Sequence, residues 1–220
     1  MNGIIFDMDG VLLDTHPAHL KAWRSLLSDA GKVVSDVDLH FVLDGHKRQE
    51  ILRHFLGDLE QSQAAHFGAL KDEYFSRHQD SVSPLPGLPE FLGQLSSAKM
   101  PIAVATSAGR PRTEALLAKF SMLDHFSTIV TGDDVTRGKP DPEIYRLAAL
   151  RLGLPPGTLV VVEDAVSGIR AGKAAGMRCV GVARNGNADS LFAAGAELVI
   201  PDFKGALLST FQQLFSSEPA

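Results

Sequence analysis

Short aliphatic runs alternate with helix-period patterns along most of this chain. The runs "GIIF" (3–6), "PIAVAT" (101–106), "TIV" (128–130), "TLVVVE" (158–163), "CVGVA" (179–183) and "LVI" (198–200) read as strands. Between them the spacing of apolar residues predicts helices at about 88–98, 111–120, 141–152, 166–175, 188–194 and 203–215. Gly153 and Gly176 stand where helices would be closed at their carboxyl ends, and Pro111 and Pro142 where a first helical turn accepts proline. Strands that alternate with helices build parallel sheets, so the pattern predicts an α/β fold with a Rossmann-like, doubly wound parallel sheet.

The alternation breaks once. From about Thr15 to Val82 only helical periodicities occur, as in "HLKAWRSLLSDAG" and "QEILRHFLGDL". An inserted all-helical cap domain is expected over 15–85, with the catalytic core formed by 1–14 and 86–220. Pro84, Pro86 and Gly87 in "SVSPLPGLPEFL" suit a stiff return to the core. Ligands of open α/β sheets bind beyond the carboxyl ends of the strands, so an insertion after the first strand is expected to hang over that crevice.

Composition narrows the function classes. The chain has 220 residues, 45% of them hydrophobic and 21% charged, and a formal net charge of -5. It lacks the basic field on which non-specific nucleic-acid binding draws. The single cysteine, Cys179, leaves no internal disulfide and sits in an apolar run that predicts a buried thiol. No apolar run reaches membrane-spanning length, and the start of the chain lacks a signal-peptide pattern, so a cytoplasmic monomer without membrane or nucleic-acid partners is expected.

The chemistry lies at the predicted strand ends. The first strand delivers Asp7 and Asp9, "VATSAG" delivers Thr106 and Ser107, and "VVVEDAVSG" delivers Glu163 and Asp164, while Lys139 arrives from the loop "RGKPDPEIY". Four carboxylates around one crevice repel unless a cation compensates them, and Mg²⁺ suits oxygen ligands while leaving positions for phosphate oxygens. A carboxylate can attack phosphorus, which makes Asp7 the candidate nucleophile. Asp9, two residues on, can protonate the leaving oxygen and then take a proton from water. Thr106, Ser107 and Lys139 can hold the phosphoryl oxygens, and Asp7, Asp9, Glu163 and Asp164 form the candidate metal site. Each fragment alone is ordinary turn or helix-cap vocabulary; their joint placement on successive strand ends points to catalysis.

Four ordered motifs, "DMDGVLLDT", "ATSAG", "GKPDPEIY" and "VVVEDAVSGIRAGKAAGM", resemble those of the haloacid dehalogenase-like superfamily over essentially the whole chain. The resemblance implies a Rossmann-like core with a helical cap, Mg²⁺ dependence and a phosphoaspartate formed on Asp7, with Asp9 as acid/base. The presence of Asp9 favours phosphoryl chemistry over dehalogenation. Within the superfamily the cap is similar to that of β-phosphoglucomutases and sugar-phosphate phosphatases, which marks His19 and Arg48 as substrate residues. After the threonine-serine motif, mutases offer small polar and basic residues for a second phosphate; this chain has "SAGRPR", where Gly109 has no donor while Arg110 and Arg112 keep positive charge that could hold a distal phosphate.

The expected activity is therefore Mg²⁺-dependent hydrolysis of a small phosphorylated metabolite, a sugar phosphate first among them. A phosphosugar mutase of the β-phosphoglucomutase type is the alternative, and a non-catalytic phosphate-binding module comes third.

Overall fold

The computed structural model describes residues 1–43, 48–184 and 186–215. The terminal segment "SSEPA" (216–220), whose composition predicts a frayed end, lies outside the described residues. The chain divides into two compact units, Met1–Leu13 with Pro84–Ala220 and Asp14–Ser83. The first is α/β and the second helical.

In the α/β unit, β1 (Gly3–Phe6) is followed, beyond the helical unit, by β4 (Ile102–Ala105), β5 (Thr128–Val130), β6 (Leu159–Glu163), β7 (Arg178–Val182) and β8 (Leu198–Ile200). The short strands β2 (Leu13–Asp14) and β3 (Ser83–Pro84) pair where the chain leaves and re-enters. The large sheet has the order β5-β4-β1-β6-β7-β8, and its pairings are parallel. Strands β1, β4 and β6 are buried throughout. This is why they read as unbroken aliphatic runs rather than alternating ones. Strand order reverses between β1 and β6, which places the ligand crevice of such sheets at the carboxyl ends of these two strands.

The connecting helices are α5 (Leu88–Ser97), α6 (Arg110–Lys119), α7 (Glu143–Leu152), α8 (Val166–Ala174), α9 (Ala188–Ala194) and α10 (Leu208–Gln213). Gly153 closes α7 in the left-handed conformation that glycine adopts without steric cost. Ile5, Val161, Ile144, Tyr145, Ile169 and Cys179 belong to one buried cluster. Phe6, Phe91, Phe203 and Phe211 form another, with ring centroids 4.9 to 6.5 Å apart. Burial pushes the Cys179 thiol up to about 12, which keeps it a neutral packing group.

The last helix is shorter than the periodicity over 203–215 predicts. Phe203 donates its amide to Pro86 O at 2.9 Å, the Asp202 carboxylate takes the Lys204 amide at 2.8 Å, and Gly205 turns at φ 69. Those residues form a turn that plugs Phe203 into the aromatic cluster, so tertiary packing overrides the helical period and α10 starts only at Leu208.

Gly87, at the return to the core, has φ 78, and a Cβ there would lie 2.3 Å from the Phe203 carbonyl carbon. Gly87→Ala is therefore expected to cost roughly 2–5 kcal/mol, combining left-handed strain with overpacking. Gly93→Ala, in open space on α5, is expected to stabilise by ~0.5–1 kcal/mol. Urea unfolding of the two variants measures both effects.

The helical unit contains α1 (His16–Asp29), α2 (Asp36–Leu39), α3 (Arg48–Leu56) and α4 (Gln61–Arg77). Ala18, Ala22, Trp23, Leu26 and Leu27 make one stripe on α1 and are buried, and Trp23 packs with Leu39, Ile51 and Leu52. Among the described residues no helix is long and apolar enough to cross a membrane.

Candidate active site

Asp7 is the first residue past β1, and its amide continues the ladder to β6 by donating to Val162 O at 2.9 Å. Its carboxylate is held by Lys139, which comes from the loop after β5. The Lys139 ammonium donates to Asp7 Oδ1 at 2.6 Å, Glu163 Oε1 at 2.7 Å and Ala105 O at 3.1 Å. These three acceptors sit at the carboxyl ends of β1, β6 and β4, so one lysine ties together the strands that flank the crevice.

Lys139, Asp7 and Glu163 are all buried. Burial disfavours the charged form of Lys139, yet Asp7 and Glu163 outweigh it and raise its pKa. For Asp7 the balance runs against ionisation: burial raises its pKa well above 3.8, Lys139 opposes this, and Glu163, Asp164 and Asp9 add to it.

Glu163 is fixed on every side. Its Oε1 also accepts the Tyr145 hydroxyl at 2.9 Å, and its Oε2 accepts the Ala165 amide at 2.9 Å. Burial and the neighbouring carboxylates raise the Tyr145 pKa, so the phenol keeps its proton and donates. A Cβ on Gly168 would fall 1.8 Å from Glu163 Oε1, which explains why a glycine stands at that point of α8.

Asp164, next in the chain, is half-buried, and its carbonyl accepts the Asn187 side-chain amide at 2.9 Å. Asn187 Oδ1 in turn takes the Arg184 amide at 2.9 Å, linking the loops after β6 and β7. At the end of β4, Thr106 is buried, and its hydroxyl oxygen accepts the Ala108 amide at 3.1 Å, while Ser107 is exposed. Asp9 lies beyond β1, where Met8 O accepts the amides of Val11, Leu12 and Leu13 and Gly10 turns at φ 76. The Asp9 carboxylate is bound by the Arg112 guanidinium, Nη2 to Oδ2 at 2.5 Å and Nη1 to Oδ1 at 3.4 Å.

The structure thus brings Asp7, Asp9, Lys139, Glu163 and Asp164 into one electrostatic group, with Thr106 and Ser107 on the adjoining strand end. It does not bring Arg110 to that group. The Arg110 guanidinium is committed to Asp134 at 2.7 Å, Glu114 at 3.1 Å and Ile129 O at 3.4 Å. Burial works against the charge of Asp134, but the Thr131 amide, Arg151 and Arg110 outweigh it and hold that carboxyl well below the usual range.

In the helical unit, His19 Nδ1 lies 2.9 Å from the Nζ of buried Lys71, and the His19 ring lies 4.6 Å from that of Phe75. Arg48 donates to Asp72 at 2.7 Å and Gly68 O at 3.4 Å.

The donor set fits a hard cation. Lys139 faces the carboxyl groups of Asp7 and Glu163, Arg112 holds that of Asp9, and Asp164 adds a fourth acid to the group. Among the described residues no three His, Cys, Asp or Glu side chains form a ready-made cage. Mg²⁺ is characteristically held by one or two carboxylates together with waters and substrate phosphate oxygens.

A family model described as haloacid dehalogenase-like hydrolase matches residues 4–182. The chain is 37% identical over 206 residues to a phosphorylated carbohydrates phosphatase of Thermotoga maritima, covering 91% of this chain and 94% of that one. It is 32% identical over 210 residues to the β-phosphoglucomutase of Bacillus subtilis, covering 91% and 89%. Among solved structures, a family IA HAD hydrolase from Entamoeba histolytica superposes with a TM-score of 0.90 over 99% of this chain and 100% of that one, at 23% identity.

Proposed function

The chain belongs to the haloacid dehalogenase-like hydrolase family, and from that premise we propose that it is a Mg²⁺-dependent phosphatase of small phosphorylated sugars. The observation that carries this reading is the Lys139 ammonium fixed between Asp7 and Glu163 at the reversal of strand order. It sets one cation against Asp7, the proposed nucleophile, where it would also meet a transferring phosphoryl group.

Asp7 and Asp164 would hold the Mg²⁺ ion, together with oxygen from Asp9; the bound ion supplies charge neutralisation that lets carboxylate and phosphate approach. Glu163 faces the same region while it orients Lys139. In the first half-reaction an Asp7 carboxylate oxygen bonds to phosphorus and the ester P–O bond breaks. The proton of the Asp9 carboxyl passes to the leaving sugar oxygen. In the second, water bonds to phosphorus, Asp9 takes one of its protons, and the bond between phosphorus and Asp7 breaks to release phosphate. Thr106, Ser107 and Lys139 hold the phosphoryl oxygens throughout.

Hydrolase and mutase share the first half-reaction and differ in what accepts the phosphoryl group. Two features favour hydrolysis. Ala108 and Gly109 offer no side-chain donors after Thr106–Ser107, and the Arg110 guanidinium is committed to Asp134 and Glu114. A mutase must instead retain a second phosphate while the intermediate turns round.

Phosphorus NMR with Mg²⁺ tests the reading. A sugar-phosphate panel is offered together with β-glucose 1-phosphate plus a trace of glucose 1,6-bisphosphate. Inorganic phosphate is expected. Glucose 6-phosphate forming without inorganic phosphate would instead establish the mutase, and no turnover of any compound would remove both.

A further inference from the structure

We propose that Arg112 is a positioning residue that fixes the orientation of the Asp9 carboxyl group, an inference that rests on the acid/base reading of Asp9.

The backbone of Asp9 is well defined, because the turn at Gly10 and a bridge to Leu13 hold it. Its side chain is another matter: it is 24% exposed, and rotation about two bonds would sweep the carboxyl group through many positions. Two N–H groups of one planar guanidinium remove that freedom, since a fork matched to both oxygens sets direction as well as distance. A proton donor displaced by about 1 Å from its target loses on the order of 10²-fold in rate, so orientation at this atom is worth as much as the acid itself.

The helix that carries Arg112 is built to deliver it. The amino-terminal turn of α6 is anchored by Asp133, which accepts the Arg110 amide at 2.8 Å, and by the Thr113 hydroxyl on Gly109 O at 3.0 Å. Residues two apart on a helix point about 200° from each other. Once Arg110 is directed to Asp134 and Ile129 O, Arg112 faces Asp9, 103 residues away in sequence. The same helix follows directly on Thr106 and Ser107, so the phosphate loop and the acid/base are set by one rigid element.

The test separates orientation from folding by leaving-group chemistry. Arg112→Ala, Arg112→Lys and Asp9→Asn are assayed with a hexose phosphate, whose alkoxide must be protonated as it leaves, and with p-nitrophenyl phosphate, whose phenolate needs little help. The ratio kcat/KM is compared because it reports the step in which the leaving group departs. Arg112→Ala is expected to lower kcat/KM for the hexose phosphate ~10–100-fold, and at least tenfold further than for p-nitrophenyl phosphate. Arg112→Lys should recover part of the loss. In an Asp9→Asn background Arg112→Ala should add little, because the two act as one unit.

Equal losses on both substrates would overturn the proposal in favour of a purely structural role. A rise in KM for the hexose phosphate alone, with kcat unchanged, would overturn it in favour of direct substrate binding. Side-chain NMR of the free protein gives an answer independent of turnover. Arg112 guanidinium protons protected in the wild type should become exchange-broadened in Asp9→Asn. Their absence from the wild type sinks this inference alone, whereas failure of the wild type to release phosphate from any sugar phosphate sinks the phosphatase reading.

Discussion

Asp7→Asn is expected to abolish phosphate release, lowering kcat by ~10⁴-fold or more, while the protein stays folded with a melting temperature at or above that of the wild type. The amide is nearly isosteric with the carboxylate and keeps an oxygen for Lys139 at the place where Oδ1 now accepts its bond. It has no lone pair basic enough to displace a sugar alkoxide from phosphorus, so the first half-reaction stops. Stability should follow the opposite course, because burial and three neighbouring acidic side chains work against the ionised form of the wild-type group. Replacing it relieves that repulsion in the metal-free protein. Phosphate release and thermal unfolding in EDTA check both halves. Wild-type turnover in the variant would refute the nucleophile assignment, and a collapse in melting temperature would show Asp7 to be structural.

What could be read from the sequence follows from what is local and what is not. The six large-sheet strands were legible as short aliphatic runs, and the central ones, covered on both faces, are apolar up to their carboxyl ends, as in "GIIF" and "IAVA". Asp7, Thr106 and Glu163 were legible for a related reason, since a polar residue at the end of such a run has to leave the core at the sheet's carboxyl edge. Arg112 reads in the sequence only as positive charge for a distal phosphate, not as the partner of Asp9, and Tyr145 and Asn187 carry no sign of a site-supporting role. Each looks like an ordinary helix or loop residue, and its partner lies 103, 18 or 23 positions away. One signal was available: Arg110 and Arg112 are two apart on a predicted helix, so they cannot serve the same face. Gly168 carried no local signal, because its reason is the Glu163 carboxylate that fills the space of a side chain. The short α10 shows the same limit in another form, since helical periodicity over 203–215 could not reveal that Phe203 has a place among Phe6 and Phe91.

Lys139→Ala is expected to damage both activity and stability, and its stability defect should depend on pH in a direction that identifies the cause. The ammonium lowers the Asp7 pKa against burial and the neighbouring carboxylates, and it also holds Glu163. Removing it leaves buried carboxylates uncompensated, which in comparable pairs costs about 3–5 kcal/mol. In the folded wild type the Asp7 pKa is already above its ordinary 3.8, and in the variant it rises further. A group with a raised folded pKa contributes stability that is complete below the unfolded pKa and is lost as pH rises through the folded one. The metal-free variant should therefore be closest to wild type near pH 4 and fall progressively behind as Asp7 ionises. Lys139 itself adds no slope there, since its raised pKa places its own titration above 10.5. Urea unfolding in EDTA at pH 5 and pH 8 measures the difference, and Asp7→Asn/Lys139→Ala should recover much of the loss at pH 8. An equal deficit at both pH values would show that Lys139 acts through packing rather than through the charge of Asp7. Activity is a separate matter: kcat/KM should fall ~10³-fold and excess Mg²⁺ should not restore it, because in the proposed mechanism the lysine would also neutralise the phosphoryl oxygens in the transition state.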